Sequence, residues 1–562
     1  MVGQVEPKDL HSIEPISYRR NKTKLTLLLL SSLMAATVCY SLISTTRFGV
    51  YHDDGIYVST AKALAEGAGY RIICLPNAPY QTKYPPLYPA VLSLIWTAYS
   101  KFPENLTLLT LSSFFATVVF LLLTSRYLRS HEYASEGQVL AVIALTALNW
   151  RTMILATSIY SEMLFALLTV AALHAAEKYE RESMRWTNGI ALGLLLGLAF
   201  LTRSSGVALV IAVGTYFGLR RRWRQALLPL GIASLFIVGW AAWCYAHRTT
   251  SEAANAAYYT SYLGDLHSIL NSLRDQGSGS VFTGILTIVT DNLFGGIIVS
   301  IPVVCLGLNY DSISQLNGAW LALSVFLILF SFLVIAAGFI RHCRRGFRLL
   351  HIYVLSYLIL HLFWPYASYD RFLMCVLPFL LVFLVTELEV PISLIRKIKS
   401  RKTAARIDVI FVGLALFAGI SFLAYTYGSG IIRTLGTLKA VASHAAEDER
   451  LIQWINENTN PSDILICYRD PKYYLYTGRR AISFSWPKQG SSWEGQQTLL
   501  RRIVSESGGH YLILTSTDFS HDYDEQLQRD SLRALVDENR NLFTPVFTAQ
   551  TDGAIYRIEN ID

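Results

Sequence analysis

Asp53 and Asp54 stand side by side in the run Tyr51-His52-Asp53-Asp54-Gly55-Ile56-Tyr57. Adjacent carboxylates at a helix start can cap backbone amides, or one of them can take a proton from an attacking hydroxyl. Both readings stay open on local sequence. Lys83 lies in Gln81-Thr82-Lys83-Tyr84-Pro85-Pro86-Leu87-Tyr88-Pro89, where paired prolines force an extended approach to an apolar helix. A lysine there either snorkels or meets an anion such as phosphate. Glu162 follows Tyr160-Ser161 at the start of an apolar run, a place the helix dipole also favours. Arg203 sits in Leu201-Thr202-Arg203-Ser204-Ser205-Gly206, and Arg371 in Asp370-Arg371-Phe372. Both arginines need an anionic partner, and Arg371 can find one in Asp370 or in a phosphate.

These residues are carried by a chain that cannot be one soluble body. Of its 562 residues, 52% are apolar and 16% charged, against about 25% charged in soluble domains. Mean hydropathy is +0.37. The expected class is a polytopic α-helical membrane protein, because backbone groups in lipid must be satisfied within helices. Apolar runs predict about eleven spans, near 25–45, 106–125, 138–157, 161–177, 188–202, 204–219, 226–246, 319–340, 350–367, 372–388 and 407–427. Every second loop is basic, for example Arg220, Arg221, Arg222 and Arg224, or Arg341, Arg344, Arg345 and Arg348. By the positive-inside rule those loops face the cytosol, and so does the N-terminus, with Arg19, Arg20, Lys22 and Lys24 before the first span. The segment 281–308 contains Asp291 and several glycines, and is expected to be an outer or re-entrant helix rather than a crossing.

This layout gives a cytosolic segment 1–24, a transmembrane domain 25–429 with an outer first loop 46–105, and an outer α/β domain 430–562. The charge supports the division. Residues 441–562 carry 12 Lys/Arg and 18 Asp/Glu, while residues 1–440 have a net charge of +14. The tail reads as an amphipathic helix at 447–458, a strand at 464–468, a helix at 496–507 and a strand at 511–514. The basic excess follows the loops, so no nucleic-acid partner is expected. None of the seven cysteines makes a CxxC or metal-type spacing. Tyr57, Tyr84 and Tyr88 lie beside the acidic and proline-rich segments and are expected to line a substrate cavity with Asp370. His351 and His361, within the ninth span, are expected to pack.

In order and sidedness the motifs resemble the GT-C membrane glycosyltransferases. The likeness is to the bacterial family-39-like group, which includes lipid A aminoarabinose transferases and is related to the protein O-mannosyltransferases. The resemblance rests on the anchor, Asp53-Asp54, Lys83-Tyr84-Pro85-Pro86, Ser161-Glu162, Thr202-Arg203 with Gly206, Arg371-Phe372-Leu373, the outer α/β tail and its Thr477-Gly478-Arg479. It implies an outer-facing cavity that moves a sugar from a polyprenyl-phosphate donor to an acceptor lipid, glycan or protein, with inversion. Asp53 takes the place of the proposed base, Asp54 the second acidic place where Glu is common, and Glu162 another acidic site. Lys83, Arg203 and Arg371 become the donor-phosphate contacts. The three acids can also hold a divalent cation, although a metal-independent reaction is the favoured reading. The expected location is the cell membrane, multi-pass. The alternatives are a transporter or flippase of a lipid-linked or envelope substrate, or a non-catalytic receptor or scaffold. A transporter is disfavoured because neither repeat symmetry nor charged span centres are evident.

Overall fold

A computed structural model describes residues 45–49, 52–182, 185–248, 281–310, 315–364, 369–398, 405–483, 508–515, 536–549 and 553–559, with isolated positions between these ranges. The expected first span, the loop 249–280 and most of the expected helix 496–507 lie outside the described residues.

The segment 46–105, expected to be an outer loop, contains two helices, α1 (His52–Ala65) and α2 (Leu87–Ala98). The helical body follows with α3 (Leu106–Ser130), α4 (Glu136–Leu148), α5 (Trp150–Ala156), α6 (Glu162–Arg181), α7 (Trp186–Thr202), α8 (Val207–Leu219) and α9 (Trp223–Ala246). Next come α10 (Val281–Asp291), a π-helical stretch Asn292–Val299, α11 (Ser300–Cys305), α12 (Gly318–Arg345), α13 (Leu349–Leu362), α14 (Tyr369–Leu373) and α15 (Leu377–Ile398). The last long helix, α16 (Ala405–Asn458), has 54 residues. It fuses the expected eleventh span with the expected helix 447–458, so the expected boundary near 430 falls inside one continuous helix.

Helix α7 packs along α9 through Gly189, Gly193 and Gly197, one glycine per turn. A Cβ on Gly197 would lie 2.2 Å from the Phe236 ring, and one on Gly193 would lie 2.7 Å from Ile232. Small residues of this kind let two helices approach in lipid, where burial of apolar surface gives no net drive. The outer faces of α9 and α12 expose Leu235, Val238, Trp320 and Leu333, as lipid-facing helices do. Four described helices are long and apolar enough to cross a membrane: Leu106–Ser130, Trp223–Ala246, Phe282–Cys305 and Gly318–Arg345. The pair α4 and α5 would make a fifth, bent by 63°. Several other expected spans coincide with helices shorter than the roughly 20 residues of a straight crossing, among them Trp186–Thr202 and Leu349–Leu362.

The segment 281–305 departs from expectation. It is one unbroken helical run, and by length and apolarity it qualifies as a crossing. Side-chain hydrogen bonds anchor it at two places. Asn292 Nδ2 donates to the carbonyls of Leu362 (2.9 Å) and Trp364 (2.7 Å). At the other end, Asn149 Nδ2 donates to Val304 O (2.9 Å) and Arg151 Nη1 to Leu308 O (2.8 Å).

The tail is a mixed five-stranded sheet of β1 (Leu465–Cys467), β2 (Ala481–Ile482), β3 (Tyr511–Leu514), β4 (Phe543–Thr548) and β5 (Ala554–Ile558), with α17 (Asp470–Thr477) between β1 and β2. The strand order is β2-β1-β3-β5-β4. β1 pairs in parallel with β2 and β3, and β5 runs antiparallel to β3 and β4. The expected strands 464–468 and 511–514 are both present, side by side. Leu451 and Ile455 of α16 pack on the sheet with Leu465, Tyr473 and Ile513. Helix α17 also rests on α1, which joins the tail to the first outer loop.

Candidate active site

Helix α1 begins at His52, so Asp53 and Asp54 fall in its first turn. They face different surroundings. Asp54 is buried and turns back on the main chain, accepting from Gly49 N (2.9 Å) and Gly55 N (2.7 Å). It is the cap. Burial raises its pKa to about 7 against the pull of those two amides. Asp53 turns to a cavity. Its Oδ1 accepts from the Tyr84 hydroxyl (2.6 Å), and its Oδ2 lies 2.8 Å from Arg371 Nη1. Burial alone would raise the Asp53 pKa, but the Arg371 charge and the Tyr84 bond outweigh it and hold the carboxyl at about 2.

Arg371 does not pair with Asp370 through its side chain. Asp370 accepts only from the Arg371 backbone amide (2.8 Å), and its other oxygen binds Arg151 Nε (2.9 Å). The Arg371 guanidinium instead bridges Asp53 and Glu162, bonding Glu162 Oε1 through Nε. It lies over the Tyr160 ring at 4.1 Å. Arg203 Nη1 reaches the same Glu162 oxygen at 2.8 Å and Ser161 Oγ at 3.0 Å. Glu162 is fully buried, and its Oε2 has no hydrogen-bond partner among the described residues. Two arginines therefore share one carboxylate oxygen while a second acid holds the far side of Arg371. Both cations carry raised pKa values: burial opposes the shift, and the Glu162 charge overrides it.

The cavity holds about 210 Å³. Its lining includes the charged and hydroxyl side chains of Asp53, Tyr57, Lys83, Tyr84, Arg203 and Arg371 together with His361, Trp364 and Phe372. Lys83 is buried, 4% exposed, in the extended segment before Pro85. Trp243 Nε1 donates to Gln81 O (3.0 Å) and Cys244 Sγ to Thr82 O (3.2 Å), so the end of α9 holds that segment. Tyr57 meets the Tyr84 and Tyr88 rings edge-on at 5.2 and 5.0 Å, and its hydroxyl bonds Ser161.

Of the residues singled out by sequence, Asp53, Tyr57, Lys83, Tyr84, Arg203 and Arg371 thus share one cavity, with Glu162 bound to its two arginines. Asp54, Tyr88 and Asp370 are not on its wall. Tyr88 is buried against Ser113, and Asp370 orients the turn that carries Arg371. His361 packs as expected, bonding Tyr357 O at 2.7 Å, but it also lines the cavity. His351 packs among Phe339, Phe347 and Phe383. Arg151 escaped notice because it lies inside an apolar run. A buried arginine in such a run is itself a signal, and here it marks the α4–α5 break.

The three acids do not converge on a cation. Asp54 faces main-chain amides, and Asp53 and Glu162 are both turned to Arg371. Among the described residues no group of three or more His, Cys, Asp or Glu side chains is placed to hold a metal. What the site offers is fixed positive charge around one carboxylate that faces open space.

No protein-family model matches the chain, and no curated protein matches it in sequence. Solved structures do match. An oligosaccharyltransferase from Archaeoglobus fulgidus, crystallised with a tethered acceptor peptide, is 14% identical. The match covers 97% of this chain and 75% of that one with a TM-score of 0.55. The same archaeal enzyme, AglB, in complex with an inhibitory peptide and a dolichol-phosphate, aligns at 13% identity and TM-score 0.53 over 97% of this chain and 75% of that one. ArnT from Cupriavidus metallidurans, in the apo state, is 12% identical over 95% of this chain and 98% of that one, with a TM-score of 0.52. The chain therefore shares the fold of the archaeal oligosaccharyltransferase and of ArnT.

Proposed function

We propose that this protein is an integral membrane glycosyltransferase that moves a sugar from a polyprenyl-phosphate donor to a hydroxyl-bearing acceptor on the non-cytosolic side, with Asp53 as general base. The observation that carries the reading is the Arg371 bridge between Asp53 and Glu162 beside a cavity that Asp53 and Arg371 line. The structural neighbours that bind a dolichol-phosphate or an acceptor peptide support the kind of donor and acceptor. The order of its motifs favours the family-39-like branch, in a multi-pass protein of the cell membrane with the sheet domain outside. The acceptor is a lipid, glycan or protein.

In the reaction, the acceptor oxygen bonds the anomeric carbon as the carbon–oxygen bond to phosphate breaks. Attack comes from the face opposite the phosphate, so the configuration inverts. The hydroxyl proton passes to Asp53, and polyprenyl phosphate leaves. Its departure raises the negative charge on the phosphate, which Arg371, Arg203 and Lys83 stabilise from fixed positions. Arg371 gives this scheme an order. Asp53 at about pKa 2 is a weak base while Arg371 holds it. A donor phosphate competes for the same guanidinium. As Arg371 turns to the phosphate, Asp53 loses its counter-ion and becomes a stronger proton acceptor. Donor binding then precedes efficient proton removal.

Mass spectrometry of envelope lipids and glycans from cells with and without the protein tests the reading. One class of molecule is expected to lose a sugar when the protein is absent. An unchanged glycan and lipid profile, with purified protein inactive on polyprenyl-phosphate sugars, would refute it.

A further inference from the structure

The residue before the base is tied to the far end of the sequence. His52 Nε2 lies 2.5 Å from Asp470 Oδ1, across 418 positions. Asp470 is fully buried and is the first residue of α17. The helix meets α1 without slack. A Cβ on Gly55 would lie 2.7 Å from Pro471 Cβ, and one on Gly49, where φ is +79°, would lie 2.6 Å from the Lys472 side chain. Lys472 in turn binds Asp448 of α16 at 2.5 Å. The Thr477-Gly478-Arg479 turn fixes the other end of α17. Gly478 supplies the left-handed cap, φ +74°, which glycine adopts without steric cost. Arg479 donates to Thr477 O (2.6 Å), Asn456 Oδ1 (2.8 Å) and Thr459 O (2.9 Å), clamping the helix to the end of α16.

We propose that Asp470 is a positioning residue for the transfer reaction: through His52 it sets the first turn of α1 and hence the aim of Asp53 into the cavity. The sheet domain is then part of the catalytic unit rather than an appended binding module, and the Thr477-Gly478-Arg479 turn is the lock that holds α17 in register. The inference rests on the reading of Asp53 as the base. Its geometry is separable from the phosphate wall, since neither His52 nor Asp470 lines the cavity. Aim matters because a displacement of about 1 Å at a reacting group can cost roughly a hundredfold in rate.

The test compares full-length wild type, Asp470→Asn and Arg479→Lys in detergent or nanodiscs by two independent measurements. Hydrogen–deuterium exchange of residues 49–58 is expected to rise at least tenfold in Asp470→Asn, while 83–88, 200–206 and 369–374 stay as in wild type. Transfer from a panel of polyprenyl-phosphate sugars is expected to show kcat down roughly 10- to 100-fold with donor KM unchanged. Arg479→Lys, which keeps the charge but loses the forked donors, is expected to show the same pattern more weakly. Unchanged exchange at 49–58 in Asp470→Asn would overturn the proposal even if no donor in the panel were turned over. So would unchanged kcat in that variant, or an equal rise in exchange at all four segments, which means general unfolding. If wild type is inactive on every donor yet exchange loosens only at 49–58, the reading of the reaction fails while the tether stands.

Discussion

Helix α6 carries a buried glutamate near each end, and the two are handled differently. Glu177, in the last turns, is met by neutral donors: the hydroxyls of Tyr127 (2.8 Å) and Tyr133 (2.6 Å) both reach its Oε1. His131 Nδ1 lies 2.7 Å from its Oε2, and Arg348 closes the cluster from above by donating to His131 O. Glu162, in the first turn, is met by two arginines on one oxygen, and its other oxygen has no hydrogen-bond partner among the described residues. None of the Glu177 partners lines the cavity, whereas both Glu162 arginines do. The Glu177 end is a polar cluster turned inward, with two hydroxyl donors on one oxygen and an imidazole beside the other. The Glu162 end holds more cationic donors than its acid uses, and it holds them beside open space. Stability asks for the first arrangement. Binding an incoming anion asks for the second.

The largest expected effect breaks the open end. Arg371→Ala should abolish detectable transfer and weaken binding of polyprenyl phosphate, measured by tryptophan fluorescence or calorimetry. It also takes the counter-ion from Asp53 and leaves Glu162 with Arg203 alone, so a stability loss of about 3 kcal/mol is expected. Unchanged affinity for polyprenyl phosphate in a folded Arg371→Ala protein would remove Arg371 from the phosphate site. The next pair sharpens the contrast directly. Glu162→Gln should lower turnover by roughly 10- to 100-fold, since both arginines lose the charge that orients them. Glu177→Gln should leave turnover within about threefold of wild type and lower stability by about 1–3 kcal/mol through imperfect hydrogen bonding. Equal losses of turnover in the two variants would erase the distinction.

Smaller effects follow from the two aspartates of α1. Asp53 has a depressed folded pKa of about 2, so the stability it contributes is present above pH 4 and is lost as pH falls through about 2. Asp54 works in the opposite sense. With its folded value raised to about 7, its ionisation opposes folding increasingly as pH rises from about 4 through 7. Asp54→Asn should therefore reduce the fall in Tm between pH 5 and pH 8, with turnover kept within about tenfold. A variant whose Tm falls as steeply as that of wild type would contradict the reading of Asp54 as a buried carboxyl with a raised pKa.

Much of the site could be read from the chain, because each charged residue stood at the edge of an apolar run where lipid or packing alone would not place it. Asp53, Glu162, Lys83, Arg203 and Arg371 were all found in that way. Their pairing could not be read. Arg371 and Glu162 are 209 positions apart, and no local rule chooses between Glu162 and the neighbouring Asp370 as its partner. Arg151 was passed over because the run 138–157 looks like one unbroken crossing. Asn149 breaks it by capping α5 with its own side chain, which accepts from Arg151 N (3.1 Å). Asp53 and Asp54 are indistinguishable by spacing, and only the backbone turn at Gly49 sends one inward to amides and the other to the cavity. The strands of the tail were legible from their apolar runs. The tether from Asp470 to His52 was not, since it depends on how the sheet domain docks.

The central claim is that the carboxylate of Asp53 takes the acceptor's proton. The direct measurement is single-turnover sugar transfer by purified Asp53→Asn against wild type, with polyprenyl-phosphate binding and Tm measured alongside. The account predicts a rate lower by about 10²–10⁴ in a protein that still folds and still binds polyprenyl phosphate. A rate equal to that of wild type would contradict it.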